Sequence, residues 1–206
     1  MSGKIKIAVL VSGGGTNLQA LLDAEREGRL SSGTIALVVS NVSGAYALQR
    51  ATGAGVPALT LTRRECGGQE GFEARLQQVL TEHGISLVIL AGFLSILSGD
   101  FTEKWPERIL NVHPALIPAF CGKGFYGLRV HEAALEYGVK VTGATVHFVN
   151  AIPDGGRILL QKAVEVCPGD TPETLQRRVM EQAEWILLPQ AAEMVCAALR
   201  KGECDA

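Results

Sequence analysis

Strand-length apolar segments alternate along this chain with stretches that repeat apolar residues at helical spacing, and this alternation restricts the possible folds most. Five strands are predicted before residue 114, at Ile5–Val11, Ile35–Ser40, Ala58–Leu61, Leu87–Leu90 and Ile109–His113. Helices are predicted between them, at Asn17–Glu27, Ala45–Thr52, Gln69–His83 and Ser98–Trp105. Because the strands are apolar nearly throughout, the pattern predicts an α/β fold whose parallel sheet is covered by helices on both faces.

A loop rich in glycine and aromatic residues, Cys121–Leu128, separates these elements from the rest of the chain. The elements predicted after it are a helix, two strands and a long final helix, at His131–Tyr137, Val141–Val149, Arg157–Val166 and Thr171 to about Arg200. The two strands are expected to extend the sheet as an antiparallel hairpin. Thr171 and Pro172 supply an N-cap and a first-turn proline, the combination that typically opens a helix.

The 206 residues show no repeat, low-complexity tract or linker composition that would separate independent domains. We therefore expect one domain over residues 1–206, with a mostly parallel twisted sheet and an antiparallel C-terminal extension. In this prediction, residues 1–100 form a mononucleotide-binding half and residues 101–206 form the catalytic half.

Composition indicates which classes of partner and which cellular compartment to expect. A formal net charge of −2 argues against a general binder of nucleic acids or anionic membranes, although it permits a local anion pocket. The five cysteines form no C-x-x-C pair, and no apolar run is long enough to cross a bilayer. Because the first strand begins almost at once, without a signal-like segment, we expect a cytoplasmic protein with reduced thiols.

The strand Ile109–His113 ends in two polar side chains that share one face, because alternate residues of a strand point the same way. Pro114 follows and ends the strand. Asn111 offers a hydrogen-bond donor for a developing oxyanion, and His113 offers a group that titrates near neutral pH. Together with a carboxylate, this pair suits acyl or one-carbon transfer.

A candidate carboxylate, Asp154, lies in the tight turn Pro153–Gly156. Beside two glycines an aspartate is more often a turn former than a catalytic group, so the turn alone leaves both interpretations open. His147 shares strand parity with Thr145 and Val149, and the pattern places it toward either the site or the core.

The loop Gly13–Asn17 follows the first strand, where an open α/β sheet presents backbone N–H groups and a helix N-terminus to an anion. An equally good interpretation is a tight turn with Thr16 as the helix cap. A dinucleotide is disfavoured because the second strand ends in Ser40 and Asn41 rather than in an acidic residue. The lysine of a nucleoside-triphosphate loop is also absent, so a single phosphate is the predicted ligand.

Together these motifs resemble the phosphoribosylglycinamide formyltransferases, a family of folate-dependent enzymes of purine biosynthesis. The resemblance runs from the first strand to the last helix and is carried by Ser12–Leu18, Leu90–Phe93, Asn111–Pro114, Gly143–Val149, Asp154–Gly156 and Leu160–Gln161. It implies the formyltransferase fold. It also implies transfer of the formyl group of 10-formyltetrahydrofolate to the amino group of 5-phosphoribosylglycinamide.

Three sets of site residues are implied by this resemblance. The catalytic residues are Asn111, His113 and Asp154. The residues that hold the phosphate and the ribose of the substrate are Gly15, Thr16, Asn17 and Glu184. The residues that contact the folate are Gln69, Leu94, Ser95, Ile96, Leu97, Asn111 and Asn150. Gln69 stands where many members carry a basic residue.

The implied chemistry uses small-molecule substrates and needs no metal or redox cofactor, and a homodimer is one option for the assembly. Asn111 and a protonated His113 would stabilise the oxyanion formed when the amine attacks the formyl carbon, and a nearby Asp154 would raise the pKa of His113. Two alternatives stay open. One is another enzyme that uses 10-formyltetrahydrofolate, either a hydrolase or a formyltransferase acting on a different amine. The other is a non-catalytic mononucleotide-binding module.

Overall fold

The computed structural model describes residues 3–202 of the chain. The strands in this range are β1 (Ile5–Val11), β2 (Gly33–Ser40), β3 (Ala58–Thr60), β4 (Leu87–Leu90), β5 (Ile109–His113), β6 (Val141–Phe148) and β7 (Ile158–Glu165). The α-helices in this range are α1 (Thr16–Arg26), α2 (Tyr46–Gly53), α3 (Gln69–Glu82), α4 (Gly99–Thr102), α5 (Leu128–Tyr137), α6 (Pro172–Val179) and α7 (Trp185–Lys201). Apart from the final helix, these elements are the predicted ones, with ends that differ by a few residues.

Within the described range the strands form one seven-stranded sheet in the order β3-β2-β1-β4-β5-β6-β7. Strands β1 to β5 pair in parallel, whereas β6 is antiparallel to both β5 and β7. This arrangement confirms the predicted mostly parallel α/β fold with an antiparallel C-terminal extension. Both predicted halves of the chain contribute strands to the same sheet, and their division of binding roles stays a prediction.

Both faces of the sheet are buried, as the apolar strand pattern indicates. Along β1, Ile7 and Val9 pack on one face with helices α1, α2, α6 and α7, while Ala8 and Leu10 pack on the other with α3 and α4. All four side chains are fully buried. Because successive side chains of a strand point to opposite faces, a strand covered on both sides must be apolar throughout.

The single long helix predicted from Thr171 to about Arg200 is wrong in its interior. Its start is confirmed, because the Thr171 hydroxyl accepts a hydrogen bond from the backbone N–H of Thr174 at 3.3 Å. A π-helical segment, Met180–Glu184, then separates α6 from α7. Apolar periodicity continues through one wide turn, so the sequence pattern does not reveal the change in backbone hydrogen bonding.

The cysteines of the described range, Cys66, Cys121, Cys167 and Cys196, are free thiols, and Cys204 lies outside that range. Among residues 3–202 no helix combines the length and the apolar character that crossing a membrane requires.

The topology brings the predicted site residues to one edge of the sheet. In parallel strands the carboxyl ends lie at the same edge, so the segments that leave β1, β4 and β5 meet there. Strand β6 runs in the opposite direction and pairs His147 directly with Asn111. Residues far apart in the sequence therefore surround one region.

Candidate active site

A cavity of about 770 Å³ opens at this edge, within the size range of small-molecule sites. Its wall contains the glycine loop, the segment after β4, the end of β5, the loop before α5 and part of α6 and of the π-helical segment that follows it. The predicted site residues in the wall are Gly15, Thr16, Asn17, Leu94, Ser95, Ile96, Leu97, Asn111, His113, Asn150, Asp154 and Glu184. Gln69 is the predicted site residue that lies outside this wall.

The glycine loop connects β1 to α1 and ends at Gly15, the N-cap of the helix. Gly15 has φ of 74°, and a Cβ built on it would lie 2.6 Å from Cβ of Ala47. Backbone conformation and close approach of α2 therefore both require glycine here. Thr16 is the first residue of α1 and is exposed, so the alternative in which it caps the helix is wrong. The loop and the helix N-terminus face the cavity, as an anion site requires.

Asn17 and Glu184 form a buried pair at the wall of the cavity. The Asn17 side-chain N–H donates to the Glu184 carboxylate at 2.6 Å, while Oδ1 of Asn17 is buried and has no hydrogen-bond partner among the described residues. Burial raises the pKa of Glu184 to about 7, and the hydrogen bond from Asn17 opposes that shift. Glu184 is the last residue of the π-helical segment Met180–Glu184, and Asn17 lies in the first turn of α1. Their hydrogen bond therefore joins α1 to the C-terminal helices.

His113 and Asp154 are close, as the resemblance implies. The distance between His113 Nδ1 and Asp154 Oδ2 is 3.6 Å, and both side chains are largely buried. The other ring nitrogen, Nε2, lies 2.8 Å from the carbonyl oxygen of Phe120. Because a carbonyl oxygen only accepts, Nε2 carries a proton, and Nδ1 is the ring atom that can exchange a proton beside Asp154.

Asp154 alone does not set the charge of His113. Burial lowers the pKa of His113 more than the charge of Asp154 raises it, so the net pKa lies below its ordinary value. The effect of Asp154 has the predicted sign but is the smaller one. At neutral pH the imidazole is therefore mainly neutral, which prepares it to accept a proton.

Asp154 is held in place by three neighbours. Burial raises the pKa of this carboxyl group, but the contacts with His147, His113 and the Gly122 amide together lower it below its ordinary value. The Gly122 N–H donates to Oδ2 of Asp154 at 2.8 Å, so the loop before α5 is tied to the carboxylate. Asp154 has φ of 56°, a conformation that favours glycine, so it is a turn residue whose carboxylate also faces the two histidines.

His147, which the sequence pattern left open, faces the site. Its Nδ1 lies 2.8 Å from the Phe148 carbonyl oxygen and its Nε2 lies 3.1 Å from the Asn111 amide nitrogen. Since the carbonyl only accepts, the proton of a neutral ring sits on Nδ1 and Nε2 accepts from Asn111. His147 therefore orients the Asn111 amide and leaves its second N–H for a ligand.

The predicted folate residues after β4 are split between the cavity mouth and the core. Leu94 and Ile96 are exposed apolar side chains, whereas Leu97 is buried in the core beneath them. Asn150 is exposed at the wall, and its side-chain oxygen accepts from the backbone N–H of Ile152 at 2.9 Å.

Gln69 supports this segment rather than lining the cavity. Its side-chain N–H donates to the Ile96 carbonyl at 3.2 Å and also contacts the Glu73 carboxylate. Glu73 is buried and accepts from the backbone N–H of Ser98 at 2.7 Å. Glu73 and the Phe120 carbonyl were not foreseen, because a helix glutamate and a loop backbone group carry no sequence signal.

A profile of the family described as formyl transferase matches residues 5–191. The chain belongs to the formyl transferase family. The crystal structure of glycinamide ribonucleotide transformylase 1 from Symbiobacterium toebii is similar to this chain, with 44% sequence identity and a TM-score of 0.89. The match covers 96% of this chain and 90% of that one. Phosphoribosylglycinamide formyltransferase of Haemophilus influenzae is 39% identical over 177 residues, covering 86% of this chain and 81% of that protein.

Some relatives of this formyl transferase are much longer proteins, and this chain matches only one part of them. The trifunctional purine biosynthetic protein adenosine-3 of Gallus gallus is 44% identical over 203 residues, or 98% of this chain. This chain spans 20% of that protein's length.

Proposed function

We propose that this formyl transferase moves the formyl group of 10-formyltetrahydrofolate to the amino group of 5-phosphoribosylglycinamide, a step of de novo purine biosynthesis. One observation supports the proposal: a single cavity has the glycine loop and the N-terminus of α1 in one part of its wall and Asn111, His113 and Asp154 in another. A phosphorylated amine is the kind of substrate that uses both. The names of the Symbiobacterium toebii and Haemophilus influenzae proteins support this substrate.

The substrate is proposed to lie between the glycine loop and the catalytic cluster. Its phosphate meets the backbone N–H groups around Gly15 and Thr16 at the start of α1, where the helix dipole favours an anion. Asn17, at the end of that loop, and Glu184 line the same cavity and are proposed to contact the ribose hydroxyls. The amine then reaches Asn111 and His113.

The three catalytic residues have distinct roles in this proposal. When the amine attacks the formyl carbon, the free N–H of the Asn111 amide donates to the oxygen that becomes negative. Neutral His113 accepts the proton of the attacking amine at Nδ1 and returns it to the folate nitrogen as the old C–N bond breaks. Asp154 faces the imidazolium formed between these two transfers and stabilises its charge.

The formyl donor is proposed to bind along the segment Leu94–Leu97 and near Asn150. The exposed side chains of Leu94 and Ile96 offer apolar contact to a flat ring system, and the backbone of the segment offers hydrogen bonds. Gln69 contributes by holding the Ile96 carbonyl, so its role in folate binding is indirect.

The cytoplasmic compartment and a homodimeric assembly are also part of the proposal. The compartment is inferred from the scattered cysteines, which form no C-x-x-C pair. Size-exclusion chromatography with light scattering tests the assembly.

A turnover assay tests the function. The protein is mixed with 10-formyltetrahydrofolate in the presence and in the absence of 5-phosphoribosylglycinamide, and tetrahydrofolate release is followed. Release that requires the amine supports the proposal. Release without the amine indicates a hydrolase, release only with another amine indicates a different formyltransferase, and binding of the phosphoribosyl compound without turnover indicates a binding module.

A further inference from the structure

A hydrogen-bonded bridge connects the glycine loop to the segment Leu94–Leu97. The Ser12 hydroxyl donates to Oδ1 of Asn41 at 2.6 Å, and the Asn41 side-chain N–H donates to the Ser95 hydroxyl at 2.6 Å. The backbone N–H of Leu94 completes this hydrogen-bond network by donating to the Ser12 hydroxyl at 2.8 Å. These contacts link residues that are between 29 and 82 positions apart in the sequence.

Two residues of the bridge, Ser12 and Asn41, lie outside the cavity wall, whereas Leu94 and Ser95 line it. Ser12 is buried and directly precedes the glycine loop, Asn41 directly follows β2, and both lie outside the cavity wall. The strand order places β2, β1 and β4 side by side, so the segments leaving them are neighbours. Asn41 therefore touches neither proposed ligand, but it holds a residue next to each of them.

The segment after β4 depends on such contacts for its conformation. On its far side, the Ile96 carbonyl accepts from Arg63 at 3.0 Å and from Gln69 at 3.2 Å. On its near side, Ser12 and Asn41 hold Leu94 and Ser95. The exposed side chains of Leu94 and Ile96 add little packing to fix it, so loss of the near-side contacts leaves its near end held mainly by Phe93, which packs on Phe72.

We infer that Asn41 is a positioning residue that couples the two ligand sites, so that occupancy of the glycine loop tightens binding of the folate. This inference rests on the proposed function. An anion bound to the glycine loop restricts the motion of Ser12, and the bridge passes that restriction to Leu94 and Ser95. A second ligand then meets a segment that is already ordered, which produces positive cooperativity without a large conformational change. Linkage requires the folate to tighten the phosphoribosyl substrate by the same factor.

The experiment measures the dissociation constant of tetrahydrofolate by calorimetry, with and without saturating 5-phosphoribosylglycinamide. These two ligands together cannot react, because neither carries the formyl group. We expect the phosphoribosyl compound to tighten tetrahydrofolate roughly fivefold or more in the wild-type chain. In Asn41→Ala and in Ser12→Ala the ratio should fall to about one, and the double variant should fall no further because the links act in series.

Ser43→Ala is the matched control, since Ser43 is exposed in the turn that follows β2. Its coupling ratio should equal that of the wild type. Both KM values should rise in Asn41→Ala while kcat at saturation stays within about twofold, because the bridge does not touch the reacting groups. A purely structural role for Asn41 would instead lower the melting temperature and leave the ratio unchanged.

The possible outcomes separate this inference from the proposed function. If both ligands bind but the wild-type ratio is one, or if folded Asn41→Ala and Ser12→Ala keep the wild-type ratio, the coupling is overturned and the proposed function stands. If the wild-type chain binds neither ligand, the proposed function is overturned and the coupling with it. Should Asn41→Ala fail to fold, Ser12→Ala alone decides the question.

Discussion

Replacing Glu184 by glutamine should make the protein more stable at alkaline pH while weakening binding of the phosphoribosyl substrate. The wild-type carboxyl group is buried against Asn17, whose Oδ1 has no hydrogen-bond partner among the described residues. A protonated carboxyl group or a carboxamide can donate to that oxygen while accepting from the Asn17 N–H, whereas a carboxylate only accepts. Ionisation of Glu184 therefore removes a donor and buries a charge.

The size of the effect follows from the pKa. Burial raises the pKa of Glu184 from its ordinary 4.5 to about 7. Between those two values the folded state holds a proton that the unfolded state has released, so stability falls as the pH rises through this window and levels off above pH 7. The shift corresponds to about 3 kcal/mol lost by the wild type at full ionisation. Glu184→Gln does not titrate and escapes this loss.

Urea denaturation at several pH values between 5 and 8.5 measures the effect. The free energy of unfolding of Glu184→Gln, minus that of the wild type, should increase by about 2–3 kcal/mol across this range, because part of the total loss occurs below pH 5. Glu181→Gln, an exposed substitution in the same π-helical segment, should give a difference that does not change with pH. Parallel curves for wild type and Glu184→Gln would show that Glu184 is already ionised at low pH and that the burial argument fails.

Four other substitutions test the site. Asn111→Ala should lower kcat by about 10²–10³ with little change in melting temperature, and near-normal turnover would contradict its role as oxyanion donor. Asp154→Asn should move the NMR titration of His113 to lower pH, since removing the anion destabilises the imidazolium, and an unchanged titration would show that Asp154 acts only through the turn. A Cβ at position 14 would have no atom within 4 Å, so Gly14→Ala should weaken binding of the phosphoribosyl substrate without unfolding the protein. Gly15→Val should instead lower the melting temperature and weaken binding of both ligands, because a Cβ there would collide with Ala47.

In the glycine loop, tertiary contacts distinguish positions that the sequence pattern does not. The pattern Gly13–Asn17 after a buried strand predicts an anion site because the chemistry is local: backbone N–H groups, a helix N-terminus and residues without side chains. It treats the three glycines as equivalent. Only the approach of α2 makes Gly15 a packing requirement and leaves Gly14 free to face the cavity.

The catalytic cluster likewise has features that strand geometry predicts and features that depend on tertiary packing. Strand parity places Asn111 and His113 on one face, and that prediction needs only the backbone geometry of β5. The position of His147 depends on the antiparallel register of β6, which pairs it with Asn111. The charge state of His113 depends on how much water is excluded from it, a property of every element packed around it rather than of its neighbours in sequence.

Four features are predictable from sequence patterns: the succession of strands and helices along the chain, the burial of the sheet on both faces, the glycine loop and the polar end of β5. These features follow from periodicity and from local backbone chemistry, which operate over a few residues. Only the folded structure shows three further features: the π-helical segment whose last residue, Glu184, bonds to Asn17, the lowered pKa of His113 and the bridge through Asn41. Each of these depends on contacts between segments distant along the chain, and no local pattern specifies which segments will meet.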